Sequence, residues 1–270
     1  MSTFLFVPGS RPDRFEKALA SGADMICVDL EDAVAASAKD DARSAAMQAL
    51  ANGNARLSLR INGLATEQGL RDLLALKKAG TLPPFLFIPM VESARDIAIA
   101  RSVLGVDSPS LVPLIETAAA LRVAHEIARA EGVAAMMFGG GDLSAELGVE
   151  LAWEPLAAAR GAFVLACAGL GIGLIDVPFI HLEDEGGLEE ETLKAKVLGF
   201  TAKAAIHPKQ VPAIKRVFRP SEADLAEARE AIEAFQAAGG KAISHHGRML
   251  EAPVIRRYKA ILSSGEKLDA

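Results

Sequence analysis

The sequence is poor in aromatic residues and in cysteine. Aromatic residues make up only 5% of the 270 positions, while Ala, Leu, Val and Ile carry most of the apolar content. This composition favours layered α/β folds over an all-β sandwich. The two cysteines, Cys27 and Cys167, lie in apolar segments. We therefore expect both to be buried, reduced thiols.

An excess of positive charge and long apolar runs are also missing. The formal net charge is −6 and no long basic run occurs, so neither nucleic acid nor a membrane surface is an expected partner. No apolar stretch approaches the roughly 20 residues that span a bilayer, and no charged segment precedes "TFLFVPG" as in a signal peptide. We expect a cytoplasmic location. An anionic substrate would need local arginines or a metal ion to offset the acidic background.

Short apolar runs alternate with helix-like segments along the first 220 residues. Most runs show no alternation of period two, which is typical of strands covered on both faces in a parallel sheet. Eight such units predict a (β/α)8 TIM barrel, whereas the alternative, a doubly wound open sheet, usually has fewer strands. The predicted strands are 3–7, 25–30, 57–61, 84–90, 111–115, 134–138, 173–177 and 203–207.

The pattern changes after residue 220. Residues 221–238 predict one helix with Ser221 as its N-cap, followed by a loop or hairpin and a final helix from about residue 254. We therefore expect a barrel at 1–220 and a C-terminal helical and hairpin extension at 221–270. His245 and His246 lie in the extension, and we expect them to be loop residues.

Charged and polar side chains follow the predicted strands at their C-terminal ends, where parallel barrels place ligand-binding groups. So many charges at one edge would repel each other without a cation or an anionic ligand between them. The residues are Arg11, Asp29, Glu31, Asp32, Arg60, Asn62, Glu92, Glu116, Asp142, Asp176 and His207.

Glu116 and Asp142 follow consecutive strands, whose spacing of about 4.8 Å lets two carboxylates reach one ion. Oxygen ligands without a nearby Cys or His pair favour Mg²⁺. The glycines of "GGGD" (139–142) would let the backbone pass close to the ligand. Two alternatives stay open for this segment: a phosphate cradle, although no Lys-Ser/Thr follows, and a structural role for Asp142 as a helix N-cap.

Arg60 lies within the otherwise apolar strand "LSLRI", where an unpaired charge is costly. Its guanidinium fork could bind a substrate carboxylate, or it could form a structural bridge with Glu31 or Asp32. His207, directly before a proline, is expected to be a packed strand-end residue and not a catalytic base.

Segments spread along nearly the whole chain resemble the citrate lyase β-subunit-like family, which lies within the HpcH/HpaI aldolase group and is related to malyl-CoA lyases. The resemblance implies a (β/α)8 barrel that binds Mg²⁺ and cleaves or forms a carbon–carbon bond next to a CoA-type thioester. It also implies a homo-oligomer, such as a trimer or hexamer. The segments are "LFVPGSRPDRFEKALASGADMICVDLEDAV", "LRIN", "PLIET", "FGGGDL", "GLIDVPF", "LGFTAKAAIHPKQV" and "GRMLEAPV".

The resemblance implies roles for individual residues. Glu116 and Asp142 would hold the metal, and Arg60 would bind the oxo-acid part of the substrate. Three basic residues would lie near the thioester carrier: Arg11, Arg14 and Lys17.

The sequence departs from the family pattern at two positions. Met90 stands where relatives often carry lysine. In CoA-dependent relatives the tail commonly reads Met-x-Asp-x-Pro, and its aspartate acts as acid/base from a neighbouring subunit. Here the tail reads "MLEAP", so Glu251 takes that place with a carboxylate one methylene further out.

The favoured function is reversible cleavage of a 3-hydroxyacyl thioester, of citryl-CoA or malyl-CoA type, into an oxo acid and an acyl thioester. In this hypothesis Mg²⁺ and Arg60 bind the hydroxy-acid part, and Glu251 protonates the thioester enolate. Three acidic residues would order Arg60 and metal-bound water: Asp29, Glu31 and Asp32. The alternatives are an aldolase on free hydroxy-oxo acids, a malyl-CoA-type thioesterase and a non-catalytic subunit of a larger complex.

Overall fold

Eight parallel strands close into a barrel in chain order, with β8 paired to β1. Closure rules out the open doubly wound sheet and confirms the predicted (β/α)8 barrel. The predicted bounds differ from the observed ones by two residues or fewer. The strands are β1 Thr3–Pro8, β2 Met25–Asp29, β3 Leu57–Arg60, β4 Phe85–Ile88, β5 Ser110–Ile115, β6 Ala135–Phe138, β7 Gly173–Asp176 and β8 Ala202–Ala205.

This computed structural model describes residues 1–105 and 107–269, with side chains up to residue 263. Contacts divide the chain into two compact units, Met1–Lys215 and Arg216–Ala270. Across the described residues, none of the helices has both the length and the hydropathy needed to cross a bilayer.

Helices follow the strands of the first unit, because the segments between apolar runs carry apolar residues at helical spacing and local caps. Thr66, for example, accepts a hydrogen bond from the Gly69 N–H at 3.0 Å and so begins α3. The helices are α1 Phe15–Leu19, α2 Lys39–Ala51, α3 Glu67–Ala79, α4 Ala94–Leu104, α5 Ala118–Arg122, α6 Ala124–Ala128, α7 Gly140–Leu147, α8 Trp153–Cys167, α9 Glu185–Leu198 and α10 Gln210–Phe218.

Alternate strand residues fill the barrel interior with apolar side chains, among them Phe4, Cys27, Phe87 and Met137. The rings of Phe4 and Phe87 meet edge to face with centroids 5.5 Å apart. The interior is therefore a packed core, and polar chemistry is confined to the ends of the strands. Cys27 and Cys167 are both buried and unpaired, as predicted.

The described residues of the second unit form the end of α10, two further helices and a hairpin. Ser221 begins the first helix by accepting a hydrogen bond from the Asp224 N–H at 3.0 Å, as predicted. The hairpin is antiparallel and includes His245 in a strand, so the prediction that His245 is a loop residue was wrong. The elements are α11 Glu222–Ala237, β9 Ile243–His245, β10 Arg248–Leu250 and α12 Ala252–Asp269.

Candidate active site

A cavity of about 430 Å³ opens at the C-terminal ends of the barrel strands. Residues that end or follow β2, β3, β5 and β6 place five charged side chains on its wall, and apolar residues such as Phe6 and Leu151 form the rest. The cavity thus brings together charged groups that are far apart in sequence. They are Asp29, Asp32, Arg60, Glu116 and Asp142.

Arg60 is held by a fork of two hydrogen bonds to Asp29, its register partner across β2 and β3. Arg60 Nε donates to Asp29 Oδ1 at 2.7 Å, and Nη2 donates to Oδ2 at 2.6 Å. Burial acts to lower the pKa of Arg60, but the bonds to Asp29 together with the negative charges of Asp29, Glu31 and Asp32 raise it. Asp29 is therefore the main partner of Arg60, and Nη1 is the guanidinium nitrogen that does not bind Asp29.

Glu31 and Asp32 lie on the Nη1 side of Arg60. Arg60 Nη1 is 2.8 Å from Glu31 Oε2 and 3.6 Å from Asp32 Oδ2, although the contact with Oε2 lacks the geometry of a hydrogen bond. Burial raises the pKa of Glu31 to about 9, against the opposing charge of Arg60. Burial thus disfavours the charged form of the Glu31 carboxyl.

Glu116, directly after β5, is 3% exposed. Its Oε2 accepts a hydrogen bond from the Met90 N–H at 2.6 Å. Gly139 lies directly against this side chain, because a Cβ there would lie 2.0 Å from Glu116 Cγ. Burial raises the pKa of Glu116 to about 7, and the charges of Asp142 and Asp32 add to this effect.

Asp142 lies in the first turn of α7, whose N-cap is Gly139. The alternative that Asp142 is itself the N-cap was therefore wrong. The carboxylate lines the cavity and is close enough to Glu116 to raise its pKa. A Cβ at Gly141 would meet nothing within 4 Å, so the glycine run leaves the cavity open beside Asp142.

The donor set of the cavity fits a divalent cation that prefers oxygen ligands. Glu116 is buried in an apolar wall, and repulsion from Asp142 disfavours its ionisation further. A cation between the two carboxylates would offset both effects. No histidine or cysteine is among the residues that line the described cavity, which favours Mg²⁺ over zinc. Glu116 and Asp142 are the residues that could hold it.

A second cavity, of about 410 Å³, adjoins the first, since Phe6, Val7, Pro8 and Ile206 line both. Its wall carries three basic side chains of the segment after β1. Arg11 there is bound to Asp13, with Nη2 donating to Oδ2 at 2.7 Å. The other two are Arg14 and Lys17.

His207 lines the second cavity and is half-buried. Its Nδ1 accepts a hydrogen bond from the Lys209 N–H at 3.2 Å. The expectation that His207 is a packed strand-end residue stays a prediction.

Asp176 lies outside the barrel interior, although the sequence placed it among the strand-end groups. Its neighbour Ile175 belongs to the interior cluster, so Asp176 faces the surrounding helices. Asp176 Oδ1 accepts from Arg160 Nε at 2.8 Å, and Oδ2 accepts from Lys203 Nζ at 2.6 Å. Its role is structural.

Sequence reasoning missed the contribution of the Met90 backbone. Met90 was noted only as a departure from the family, yet its N–H binds Glu116. Its φ of 52° lies in the left-handed region, which is costly for a residue with a Cβ. No sequence pattern predicts this conformation, because methionine has no preference for it.

Glu251 belongs to the second unit. It follows β10 directly, its side chain is exposed, and its carbonyl accepts from the Ile255 N–H at 3.0 Å in the first turn of α12. Its carboxylate is thus available to solvent in this unit.

Comparison with known families now identifies the barrel. The model of the HpcH/HpaI aldolase/citrate lyase family matches residues 2–208. The chain belongs to this family. A second model, described as a C–C bond lyase of the TIM-barrel fold, matches residues 158–263. The resemblance found from the sequence is confirmed, and this aldolase/citrate lyase family member is assigned to the carbon–carbon lyases.

Individual relatives cover almost the whole chain. The L-malyl-CoA/beta-methylmalyl-CoA lyase of Rhodobacter capsulatus is 36% identical over 97% of this chain and 93% of its own. A citrate lyase subunit beta-like protein of Mycobacterium tuberculosis is 35% identical over 96% of this chain and 93% of its own length. The structure of CitE from M. tuberculosis with magnesium, acetoacetate and coenzyme A superposes with a TM-score of 0.86, at 33% identity over 98% of each chain.

Proposed function

We propose that this family member is a Mg²⁺-dependent lyase that cleaves or forms a 3-hydroxyacyl thioester of citryl-CoA or malyl-CoA type. The products of cleavage are an oxo acid and an acyl thioester. The observation that carries the proposal is the cavity at the barrel mouth, where Glu116, Asp142 and Arg60 lie together. The malyl-CoA lyase relative and the CitE complex with magnesium and coenzyme A support it.

Glu116 and Asp142 are the proposed metal ligands. When bound, Mg²⁺ offsets the negative charge on the substrate oxygen that becomes a carbonyl. Arg60 neutralises the carboxylate of the oxo-acid part, and Asp29 fixes its guanidinium in the required orientation. Asp29 occupies the Nε–Nη2 edge of Arg60 and Glu31 lies beside Nη1, so the substrate carboxylate would bind the N–H groups that remain on Nη1 and Nη2.

Cleavage breaks one carbon–carbon bond, and the hydroxyl of the substrate gives its proton to a base as its carbon becomes a carbonyl. The bonding electrons remain on the thioester fragment as an enolate, which must gain a proton. Glu251 is the proposed acid/base for both transfers: its carboxylate accepts the hydroxyl proton and returns a proton to the enolate carbon. We further propose that the extension 221–270 meets a neighbouring copy of the barrel, 1–220, in a trimer or hexamer, so that Glu251 serves the site of another subunit.

Arg11, Arg14 and Lys17 are the proposed contacts of the thioester carrier. They line a cavity that adjoins the metal-binding one, and their positive charge is suited to the phosphate groups of a CoA-type carrier. The proposed partners are accordingly an oxo acid, a CoA-type thioester and further copies of this chain, without nucleic acid or membrane, in the cytoplasm.

Product analysis tests the proposal. The protein is incubated with malyl-CoA and citryl-CoA, with and without Mg²⁺, and the products are identified by mass spectrometry. We expect Mg²⁺-dependent formation of an oxo acid and an acyl thioester from at least one substrate, and none of this activity in Asp142→Ala. Release of the free thiol and the intact hydroxy acid would instead identify a thioesterase, and no turnover of either substrate would overturn the proposal.

A further inference from the structure

The second unit contains a cluster of metal-ligating side chains that takes no part in the proposed reaction. Glu230 of α11 faces both histidines of the hairpin. His246 Nε2 lies 2.9 Å from Glu230 Oε1, and His245 Nε2 lies 3.6 Å from the same oxygen. One potential ligand atom from each residue thus falls within 4.8 Å of the others.

The hairpin turn is the reason that two consecutive histidines face the same way. In a regular strand, neighbouring side chains point to opposite faces. Here Arg248 pairs with His245, so His246 and Gly247 form a two-residue turn, with φ values of 47° and 74°. Positive φ at both positions is the pattern of a type I′ turn. The two imidazole rings consequently lie with centroids 4.1 Å apart at 61°.

Histidine is compatible with this turn. The first central position of such turns favours asparagine, aspartate or glycine, and histidine is, like asparagine and aspartate, enriched at positive φ. The turn thus holds the His246 imidazole beside that of His245.

Neighbouring charged groups are engaged with one another and leave Glu230 to the histidines. Glu227, one turn earlier on α11, accepts hydrogen bonds from Tyr258 Oη at 2.8 Å and from Arg248 Nη1 at 2.9 Å. Arg248, the nearest cation of β10, is therefore directed at Glu227 and not at the cluster. Glu230 is half or more exposed, so an ion can reach it from solvent.

We propose that His245, His246 and Glu230 form a binding site for Zn²⁺ or a divalent transition metal of similar ligand preference. Two imidazoles with one carboxylate are typical ligands of zinc and are poor ligands for Mg²⁺. Bonds of about 2.0–2.1 Å in a tetrahedral site place ligand atoms about 3.3 Å apart. The observed separations of 2.9 and 3.6 Å bracket that distance. Three protein ligands leave one position open for water.

Such an ion would tie the hairpin to α11. β10 leads directly into Glu251, so the ion would also limit the motion of the backbone that carries the proposed acid/base. The metal site itself does not depend on the proposed function, because it is defined by the second unit alone.

Calorimetric titration with Zn²⁺ tests the site, in the full chain and with Mg²⁺ at saturation to occupy the barrel mouth. The variants are His246→Asn, which keeps a residue favoured in the turn, and Glu230→Gln. The matched control is His125→Gln, since His125 is an exposed histidine of α6 in the first unit. Thermal melting of each variant confirms that it folds.

We expect the wild type and His125→Gln to bind Zn²⁺ equally. His246→Asn and Glu230→Gln should bind Zn²⁺ at least about tenfold more weakly, because even groups outside the ligand set of a metal site contribute that much to affinity. Co²⁺ should give the visible absorption of a tetrahedral complex in the wild type, and this absorption should be lost in both cluster variants. Equal Zn²⁺ binding by the wild type and the cluster variants, or no binding by the wild type, would overturn the proposal.

Discussion

Glu116 shows how the backbone around one residue fixes the position of its carboxylate. The Met90 N–H holds Oε2 at 2.6 Å, and Gly139 approaches so closely that any side chain would displace the carboxylate. The Gly139 N–H in turn donates to the Ile115 carbonyl at 2.9 Å, which fixes Gly139 at the end of β5. Two of the three glycines in "GGGD" thus have separate roles: Gly139 makes room for Glu116, and Gly141 faces open space.

Substitution of Gly139 and of Gly141 distinguishes the roles of the two glycines. In Gly139→Ala the new Cβ would lie 2.0 Å from Glu116 Cγ, so the carboxylate must move and Mg²⁺ affinity should fall by about tenfold or more. Gly141→Ala is the matched control, because its Cβ meets nothing within 4 Å. Calorimetry measures both affinities. If the two variants bind Mg²⁺ equally well, the position of Glu116 does not determine metal binding.

Substitution of Arg60 tests its proposed contact with the oxo acid. Arg60→Lys keeps the charge but loses the fork that Asp29 orients, so we expect kcat/KM to fall about 100-fold, or about 2.7 kcal/mol of transition-state stabilisation. The melting temperature should change much less. Steady-state kinetics and thermal unfolding measure the two effects. A large drop in melting temperature with little change in kcat/KM would show that Arg60 is chiefly a structural bridge to Asp29.

At the scale of elements, a buried ion cluster fastens α8 and α9 to β7 and β8. Lys203 Nζ donates to Asp176 Oδ2 at 2.6 Å and to Glu191 Oε1 at 2.8 Å. Arg160 completes the cluster through Asp176 and lies over the Trp153 ring, with Cζ 4.7 Å from the centroid. The four charges neutralise each other in a place where none could be buried alone.

Removing one member should therefore destabilise the barrel strongly. Lys203→Met leaves the two carboxylates of Asp176 and Glu191 with one cation, Arg160, between them, and we expect a loss of about 3–5 kcal/mol in the free energy of unfolding. Lys194→Met is the control: Lys194 pairs with Glu190 at 2.9 Å on the exposed face of α9, and surface pairs contribute about 1 kcal/mol or less. Urea unfolding measures both. Equal effects would show that burial of the cluster does not determine its contribution.

The elements themselves were predictable because their signals are local. Apolar runs bounded by polar segments located all eight strands, and Ser221 marked the start of α11. The direction of side chains was not predictable, because strands buried on both faces show no alternation. Asp176 was consequently grouped with the site, although it faces the helices, and Asp29 was not recognised as the main partner of Arg60.

At the scale of the whole molecule, barrel topology explains why residues far apart in sequence could be expected at one cavity before the structure was known. Glu116 and Asp142 stand at consecutive strand ends, and barrel geometry brings such residues to one mouth. The φ of Met90 and the close approach of Gly139 to Glu116 arise from tertiary packing. No local sequence pattern predicts either feature. The role of Glu251 stays a prediction, because it depends on a second copy of the chain.

Subunit exchange tests the role of Glu251. Glu251→Gln lacks the proposed acid/base and Asp142→Ala lacks a proposed metal ligand, so each variant alone should be inactive. If Glu251 serves a neighbouring subunit, mixed oligomers contain some sites with both groups intact, and part of the activity should return. Turnover of the thioester substrate measures this. An inactive mixture in which exchange is demonstrated, or full activity of Glu251→Gln alone, would exclude Glu251 as an acid/base that acts across subunits.

We propose above all that Glu116 and Asp142 bind Mg²⁺ at the mouth of the barrel. The most direct test of this proposal is calorimetric titration of Mg²⁺, with oxaloacetate or glyoxylate present, into the wild type, Asp142→Ala and Glu92→Gln. Glu92 is the control, since it is a carboxylate that follows β4 and is exposed. We predict that the wild type and Glu92→Gln bind one Mg²⁺ with the same affinity and that Asp142→Ala loses this binding. Equal binding by all three proteins would contradict the account.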